Sequence, residues 1–246
     1  GVVPTLARGT ATVIVTLDVS NSMDETDIAP SRIEAATASA RAFVTDLPDG
    51  FAVGLVLFSG SAEVAVAPGP DRAPVLAALD DIGLGSGTAV GEGVFTSLEA
   101  ALLAPTAPDA GPAPARIVLL SDGASTQGRS VPEAAAAAAA ARIPVSTIAF
   151  GVTGDADQID LPALEMLATA SGGRSYTAGS GAELSEVYSD IGDTIGNAEQ
   201  SLVTPVLLVA LVAALLAAAG ALIASARRPA PAHAGPPTRR HPEPVR

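Results

Sequence analysis

Cysteine and lysine are absent from the 246-residue chain, and aromatic residues make up only 3% of it. Without cysteine there is no disulfide framework, no thiolate nucleophile and no sulfur-bound zinc or cluster, and redox chemistry gives no hint of compartment. The missing lysine removes the P-loop lysine and Schiff-base chemistry. Both histidines, His233 and His241, fall in a Pro-rich tail, so the body of the chain holds no Ser-His-Asp triad. Positive charge is also scarce, with 13 Arg against 26 acids, and five of the arginines but only one acid follow Ala226. The body up to that point carries 8 basic and 25 acidic residues, a net charge of -17, while the remainder carries +4. A body so acidic repels nucleic acid, and no basic patch with interleaved aromatics argues otherwise.

Apolar residues, by contrast, are plentiful, at 48% with a mean hydropathy of +0.42. The excess is concentrated in Gln200 to Ala226, 27 consecutive residues without a charge. As a helix this run extends about 40 Å, and a bilayer core needs only about 20 such residues. A buried core helix rarely runs that far without a polar face, so the reading is a transmembrane helix over 198–226, followed by Arg227 and Arg228. The tail at 227–246, rich in Pro and Arg, is expected to be disordered. Its arginines place it in the cytoplasm and the acidic domain outside the cell membrane. The chain opens on Gly1 rather than Met, which leaves a fragment or a processed product, with upstream spans or a signal segment, equally open.

Between a short linker at 1–9 and the apolar run, buried strands alternate with helices. Ala11 to Val19, Phe51 to Phe58, Arg116 to Leu120 and Ile143 to Phe150 are short β-branched runs bounded by Gly, Pro, Asp or Ser. Glu63 to Ala67 reads as an additional edge strand. Ser31 with Glu34, and Ser130 with Glu133, have capping-box spacing at helix starts. The second opens the alanine run Ala134 to Ala141, closed by Arg142 and read as a helix that packs closely on a sheet. Further helices are expected at Ala73 to Asp81, Val90 to Leu103, Leu161 to Ser171 and Ala182 to Gly196. Strand and helix in repetition predict an α/β fold, a doubly wound and mostly parallel central sheet flanked by helices, over 10–197.

At the end of the first strand stands DVSNSM. In an extended segment Asp18, Ser20 and Ser22 project to one side while Val19 and Met23 turn inward. Two later places share this character: Thr88 in GLGSGTAVGEG, just before a helix, and Asp122 in IVLLSDG, just after a strand. Ligands of open α/β sheets gather at the carboxyl ends of strands, where all three places would meet. Two carboxylates and three hydroxyls, with no His or Cys, suit a hard divalent cation, Mg²⁺ first and Mn²⁺ or Ca²⁺ next, with zinc disfavoured. Such a set leaves a coordination position open.

DVSNSM, the GSGT threonine and LLSDG, in this order, resemble the metal-ion-dependent adhesion site of a von Willebrand factor A domain, and the resemblance extends from about residue 10 to 196. FAVGLVLFSGSAEV is similar to the second and third strands of that fold, and AVGEGVFTSLEAAL to the helix after its threonine loop. With a span after the domain, the chain resembles bacterial membrane-anchored A-domain proteins of the aerotolerance-operon (Bat) type. The resemblance implies that Ser20, Ser22 and Thr88 hold a cation through hydroxyl oxygens, and that Asp18 and Asp122 act directly or through water. It also implies a non-catalytic module whose open position takes a partner protein's Glu or Asp. A MoxR-type AAA ATPase or other A-domain proteins are the partners it suggests.

The alternative is a Mg²⁺-dependent phosphohydrolase or phosphotransferase with Asp18 as nucleophile. Such a site needs a Lys or Arg to neutralise the phosphoryl group, and no Arg lies within the three motif segments. The glycines around Thr88 form no phosphate cradle, since G-K-[ST] is missing. Glu92 is read as complementing a helix dipole rather than reaching the cation. Asp24, Glu25 and Asp27, like Asp155, Asp157 and Asp160, are read as solvated loop acids.

Overall fold

The computed structural model describes residues 11–104, 114–151 and 159–195. By its internal contacts the chain divides into two units, residues 1–197 and 198–246, and all described residues belong to the first. The expected membrane span and tail lie outside the described residues. Among these, no helix is long and apolar enough to cross a membrane.

The apolar runs form strands buried on both faces, which is why they read as continuous rather than alternating. β1 (Thr12–Asp18) is buried at every position. β2 (Ala52–Phe58), β4 (Ala115–Ser121), β5 (Val145–Phe150) and β6 (Ser175–Ala178) run parallel to it, and β3 (Ala62–Gly69) pairs antiparallel with β2. The sheet order is β3-β2-β1-β4-β5-β6, so the expected doubly wound, mostly parallel sheet is present, with β3 at the anticipated edge. β6 was not anticipated. It is four residues long and mostly unburied, so it shows neither a long apolar run nor clear turn boundaries.

The helices are α1 (Arg32–Asp46), α2 (Ala73–Ala78), α3 (Val90–Leu102), α4 (Val131–Ala141), α5 (Leu161–Ser171) and α6 (181–195). Successive β1 residues serve opposite layers. Val13, Val15 and Leu17 pack with Phe43 and Val44 of α1 and with Leu184 and Tyr188 of α6. Ile14 packs with Val94 and Leu98 of α3, Ala134 and Ala138 of α4 and Leu167 of α5. Each large apolar side chain so buried stabilises the fold by about 1.5–3 kcal/mol. The alanine run behaves as expected: Ala134, Ala135 and Ala138 are buried, and their small side chains let α4 approach the sheet.

At the start of α4 the capping box is complete, with Ser130 and Glu133 each bonded to the other's backbone amide. At α1 it is half formed, because Ser31 accepts from the Glu34 amide at 3.3 Å while the Glu34 carboxylate takes the Ser31 hydroxyl instead. Arg142 ends α4 in the left-handed region, φ 57°. α2 is shorter than expected, ending at Ala78, and the residues after it turn.

Candidate metal centre

β1 and β4 are neighbours at the point where the sheet's connections diverge, β2 and β3 lying beyond β1 and β5 and β6 beyond β4. Loops leaving such a pair part in opposite directions and open a crevice at the carboxyl ends. Asp18 ends β1 and Asp122 follows the last residue of β4, so both carboxylates arrive there, 0% and 1% exposed.

Asp18 is gripped on both oxygens. The Ser20 amide donates to Oδ1 at 2.9 Å, and the Ser121 hydroxyl donates to Oδ2 at 2.7 Å. Burial pushes its carboxyl up to about 6; the charge of Asp122 adds to the rise, and the Ser121 and Ser20 hydrogen bonds offset part of it. Among the described residues Asp18 forms no ion pair.

Ser22 donates to Asp122 Oδ1 at 2.9 Å, and Ser20 Oγ lies 3.0 Å from Ser22 Oγ and 3.5 Å from Asp122 Oδ1. The three side chains of D-x-S-x-S therefore converge, although not by strand alternation alone. Extended geometry carries the chain only to Ser20, which makes a single parallel bridge to Gly85. Ser22 belongs to a 3₁₀ turn, Asn21–Asp24, that folds its hydroxyl back toward Asp122. Val19 and Met23 are buried beneath, as expected.

Thr88 is buried at 6% on the loop before α3. Its amide donates to Thr126 Oγ1 at 3.1 Å and its carbonyl accepts from the Thr126 amide at 2.7 Å. The Thr88 loop is also tied to the first loop, where the Gly85 amide donates to the Val19 carbonyl at 2.8 Å. Among the described residues Thr88 makes no hydrogen bond to Asp18, Ser20, Ser22 or Asp122. Four of the five candidates are thus linked directly, and the fifth stands on a loop tied to theirs. Thr126 is the residue missed by sequence reasoning here; a threonine four residues past Asp122 carries no distinguishing signal.

Arg32 corrects two expectations. It lies outside the three motif segments, yet its guanidinium enters the site from the first turn of α1, its side chain 2% exposed. Nη1 donates to Asp122 Oδ2 at 3.0 Å, Nε and Nη2 to the two oxygens of Asp27 at 2.9 and 2.8 Å, and Nη2 also meets Glu25 Oε2 at 2.9 Å. Glu25 and Asp27 are therefore ion-paired rather than simply solvated. The Asp27 hydrogen bond leads in holding the Arg32 proton above its ordinary range, against the opposing effect of burial. The signal that could have found this is Asp27 and Arg32, an acid and a base bracketing a helix start, but their direction is not written in the spacing.

Glu92 does not turn to the crevice. It grips Arg129 through Nε and Nη2 and accepts the Arg129 amide at 2.8 Å, and that hydrogen bonding holds its carboxyl down at about 2. Asp160 caps α5 by accepting from the Ala163 amide at 3.0 Å. Asp155 and Asp157 lie outside the described residues.

The oxygen set suits a hard divalent cation. Of the two buried carboxylates only Asp122 is paired with a guanidinium, and three hydroxyls stand within reach or on an adjoining loop, so uncompensated negative charge is present where water is scarce. Among the described residues no cluster of three or more acidic, His or Cys side chains offers another metal site.

Residues 13–124 match the family model of the von Willebrand factor type A domain. The chain is 39% identical over 215 residues to a UPF0353 protein of Nocardia farcinica, covering 77% of this chain and 64% of that protein's length. Among solved structures it is similar to BatB of Bacteroides thetaiotaomicron, with a TM-score of 0.63 and 24% identity over 76% of this chain and 98% of that one. It is also similar to an aerotolerance-related membrane protein of Bacteroides fragilis, with a TM-score of 0.65 and 20% identity over 76% and 99%. Proximal thread matrix protein 1 of the mussel byssus, with a zinc-occupied MIDAS motif, matches at a TM-score of 0.60 and 19% identity over 77% and 46%. By the family match over residues 13–124, and by a fold shared with these solved structures, the chain contains a von Willebrand factor type A domain.

Proposed function

We propose that this domain binds a divalent cation through Asp18, Ser20, Ser22, Thr88 and Asp122, and that the bound ion is a docking point for a carboxylate of a partner protein. The observation that carries the reading is the crevice itself: Asp18 and Asp122 buried side by side, with Ser22 and Ser20 turned onto Asp122. Neutral hydroxyl ligands leave a cation electrophilic, so an incoming carboxylate gains by completing its shell. Mg²⁺ is the first choice for an all-oxygen set, with Mn²⁺ or Ca²⁺ next. The zinc in the mussel protein's motif gives no support to ranking zinc last, and it belongs among the ions tested.

The chain's own residues do the preparatory work. Ser121 and the Ser20 amide fix the Asp18 carboxylate, Thr126 anchors the Thr88 loop, and Arg32 fixes Asp122. The module acts without catalysis on this reading. Arg32 supplies the cationic side chain that a phosphoryl-transfer site requires, but it is already committed to Asp122, Asp27 and Glu25 and does not favour that alternative.

The uncharged run at 200–226 anchors the domain in the cell membrane, with the tail at 227–246 cytoplasmic and the domain extracytoplasmic; the Bacteroides fragilis neighbour is itself described as a membrane protein. Candidate partners are a MoxR-type AAA ATPase or other A-domain proteins, each offering an exposed acid.

The test is calorimetric titration of Mg²⁺, Mn²⁺, Ca²⁺ and Zn²⁺ into the detergent-solubilised, chelator-treated full chain and into its Ser20→Ala, Ser22→Ala double variant. Binding by the wild type and its loss in a variant that still melts cooperatively is the expected result. Unaltered binding in the variant overturns the ligand assignment.

A further inference from the structure

The two oxygens of Asp122 face different neighbours. Oδ1 accepts from Ser22 at 2.9 Å and lies 3.5 Å from Ser20 Oγ, on the side of the candidate ligands. Oδ2 accepts from Arg32 Nη1 at 3.0 Å. The guanidinium cannot easily leave, because its other edge is locked on both oxygens of Asp27 and on Glu25. Its planar fork is fixed by three acids on two loops, and a side chain 2% exposed has no solvent to swing into.

We infer that Arg32 is a cation-selectivity residue: by occupying Asp122 Oδ2 it restricts that carboxylate to one oxygen toward a bound ion, and so favours Mg²⁺ over Ca²⁺. This rests on the cation-binding reading above. The physical reason lies in how the two ions use carboxylates. Ca²⁺ takes six to eight oxygens in a flexible shell and gains from bidentate carboxylates, whereas Mg²⁺ needs a compact octahedron and is content with single oxygens and retained water. A carboxylate with one oxygen held by a guanidinium cannot chelate without breaking a buried, charge-assisted hydrogen bond. The cost falls on the ion that wants both oxygens. Asp27 is the positioning partner, since it grips Nε and Nη2 and thereby aims Nη1 at Asp122.

The experiment is calorimetric titration of MgCl₂ and of CaCl₂ into the solubilised, chelator-treated full chain, for the wild type, R32M, R32K and D27N. The expected result is a ratio of Mg²⁺ to Ca²⁺ affinity that falls by about tenfold in R32M, as Oδ2 becomes available for bidentate binding, and recovers in R32K, which can still donate to it. D27N should shift the ratio the same way by a smaller factor. A purely structural role for Arg32 would weaken both ions together and leave the ratio where it was, and that outcome overturns the inference. If R32M is not recovered folded, D27N decides alone: a ratio equal to the wild-type value overturns it. Failure of the wild type to bind either ion is a different result, which removes the cation-binding reading itself.

Discussion

Ser121, the last residue of β4, donates its hydroxyl proton to Asp18 Oδ2 at 2.7 Å across the gap to the last residue of β1. The bond ties the two halves of the sheet at the point where their loops part. It also shows how little holds a buried carboxylate there: one hydroxyl, one amide from Ser20 and no basic partner among the described residues.

Replacing that carboxylate by an amide should stabilise the metal-free protein. Burial raises the Asp18 carboxyl from 3.8 to about 6, so between those values the folded state binds a proton that the unfolded chain has released. This contribution therefore favours the fold at low pH and is lost as pH rises through about 6. Near neutrality the deficit is of order 1–3 kcal/mol. Asp18→Asn keeps the acceptor for the Ser20 amide and can donate to Ser121 in place of accepting from it. Thermal melts in chelator should show Asp18→Asn more stable than wild type at pH 7, with the gap closing toward pH 4. A variant that melts lower at pH 7 would show that the ionised carboxylate is better compensated than its surroundings indicate.

The strands and the two acids were legible in the sequence because their signals are local. ATVIVTL is uncharged and mostly apolar, since β1 is covered on both faces, and a carboxylate directly after such a strand in an open sheet falls at the crevice. Ser22 was found for a partly mistaken reason, its hydroxyl being delivered by the Asn21–Asp24 turn rather than by strand alternation. Arg32 and Thr126 were not legible. Each acts on a residue distant in the chain, Arg32 on Asp122 and Thr126 on Thr88, and such pairings depend on how loops from different strands cross. β6 escaped notice because it is short and mostly unburied.

Close packing around the Thr88 loop can be probed at two glycines of α3. A Cβ at Gly91 would lie 2.0 Å from the Arg129 carbonyl oxygen, and one at Gly93 would lie 2.9 Å from the Phe58 ring. Alanine in a helix interior ordinarily gains about 1 kcal/mol over glycine. Here that gain is opposed by overpacking worth roughly 1–3 kcal/mol. Gly93→Ala should be near neutral to moderately destabilising, because an aromatic ring can tilt. Gly91→Ala should lose more, because its obstacle is backbone and either α3 or the start of α4 must move. Denaturant melts of both variants check the order, and Gly91→Ala melting as well as Gly93→Ala would show that the 129–130 segment yields readily.

The ion pair between Glu92 and Arg129 joins α3 to the segment that begins α4, with Arg129 also stacked 3.6 Å over the Phe95 ring. Hydrogen bonds from Arg129 hold the Glu92 carboxyl down at about 2 against an ordinary value of 4.5. A depressed acid contributes stability that is fully present above its unfolded value and is lost as pH falls through the folded one, here from about 4.5 down to about 2. The Arg129 side chain is 44% exposed, so solvent screening cuts the contribution to about 1 kcal/mol. Glu92→Gln should therefore cost about that much at pH 7, with the difference from wild type shrinking below pH 4.5 and under high salt. Arg129→Lys keeps the charge but loses the two-pronged grip and the flat stacking, and should recover only part of the loss. Melting temperatures across that pH range, for wild type and both variants, measure each step; a Glu92→Gln deficit that persists undiminished at pH 2 would assign the loss to packing rather than to charge.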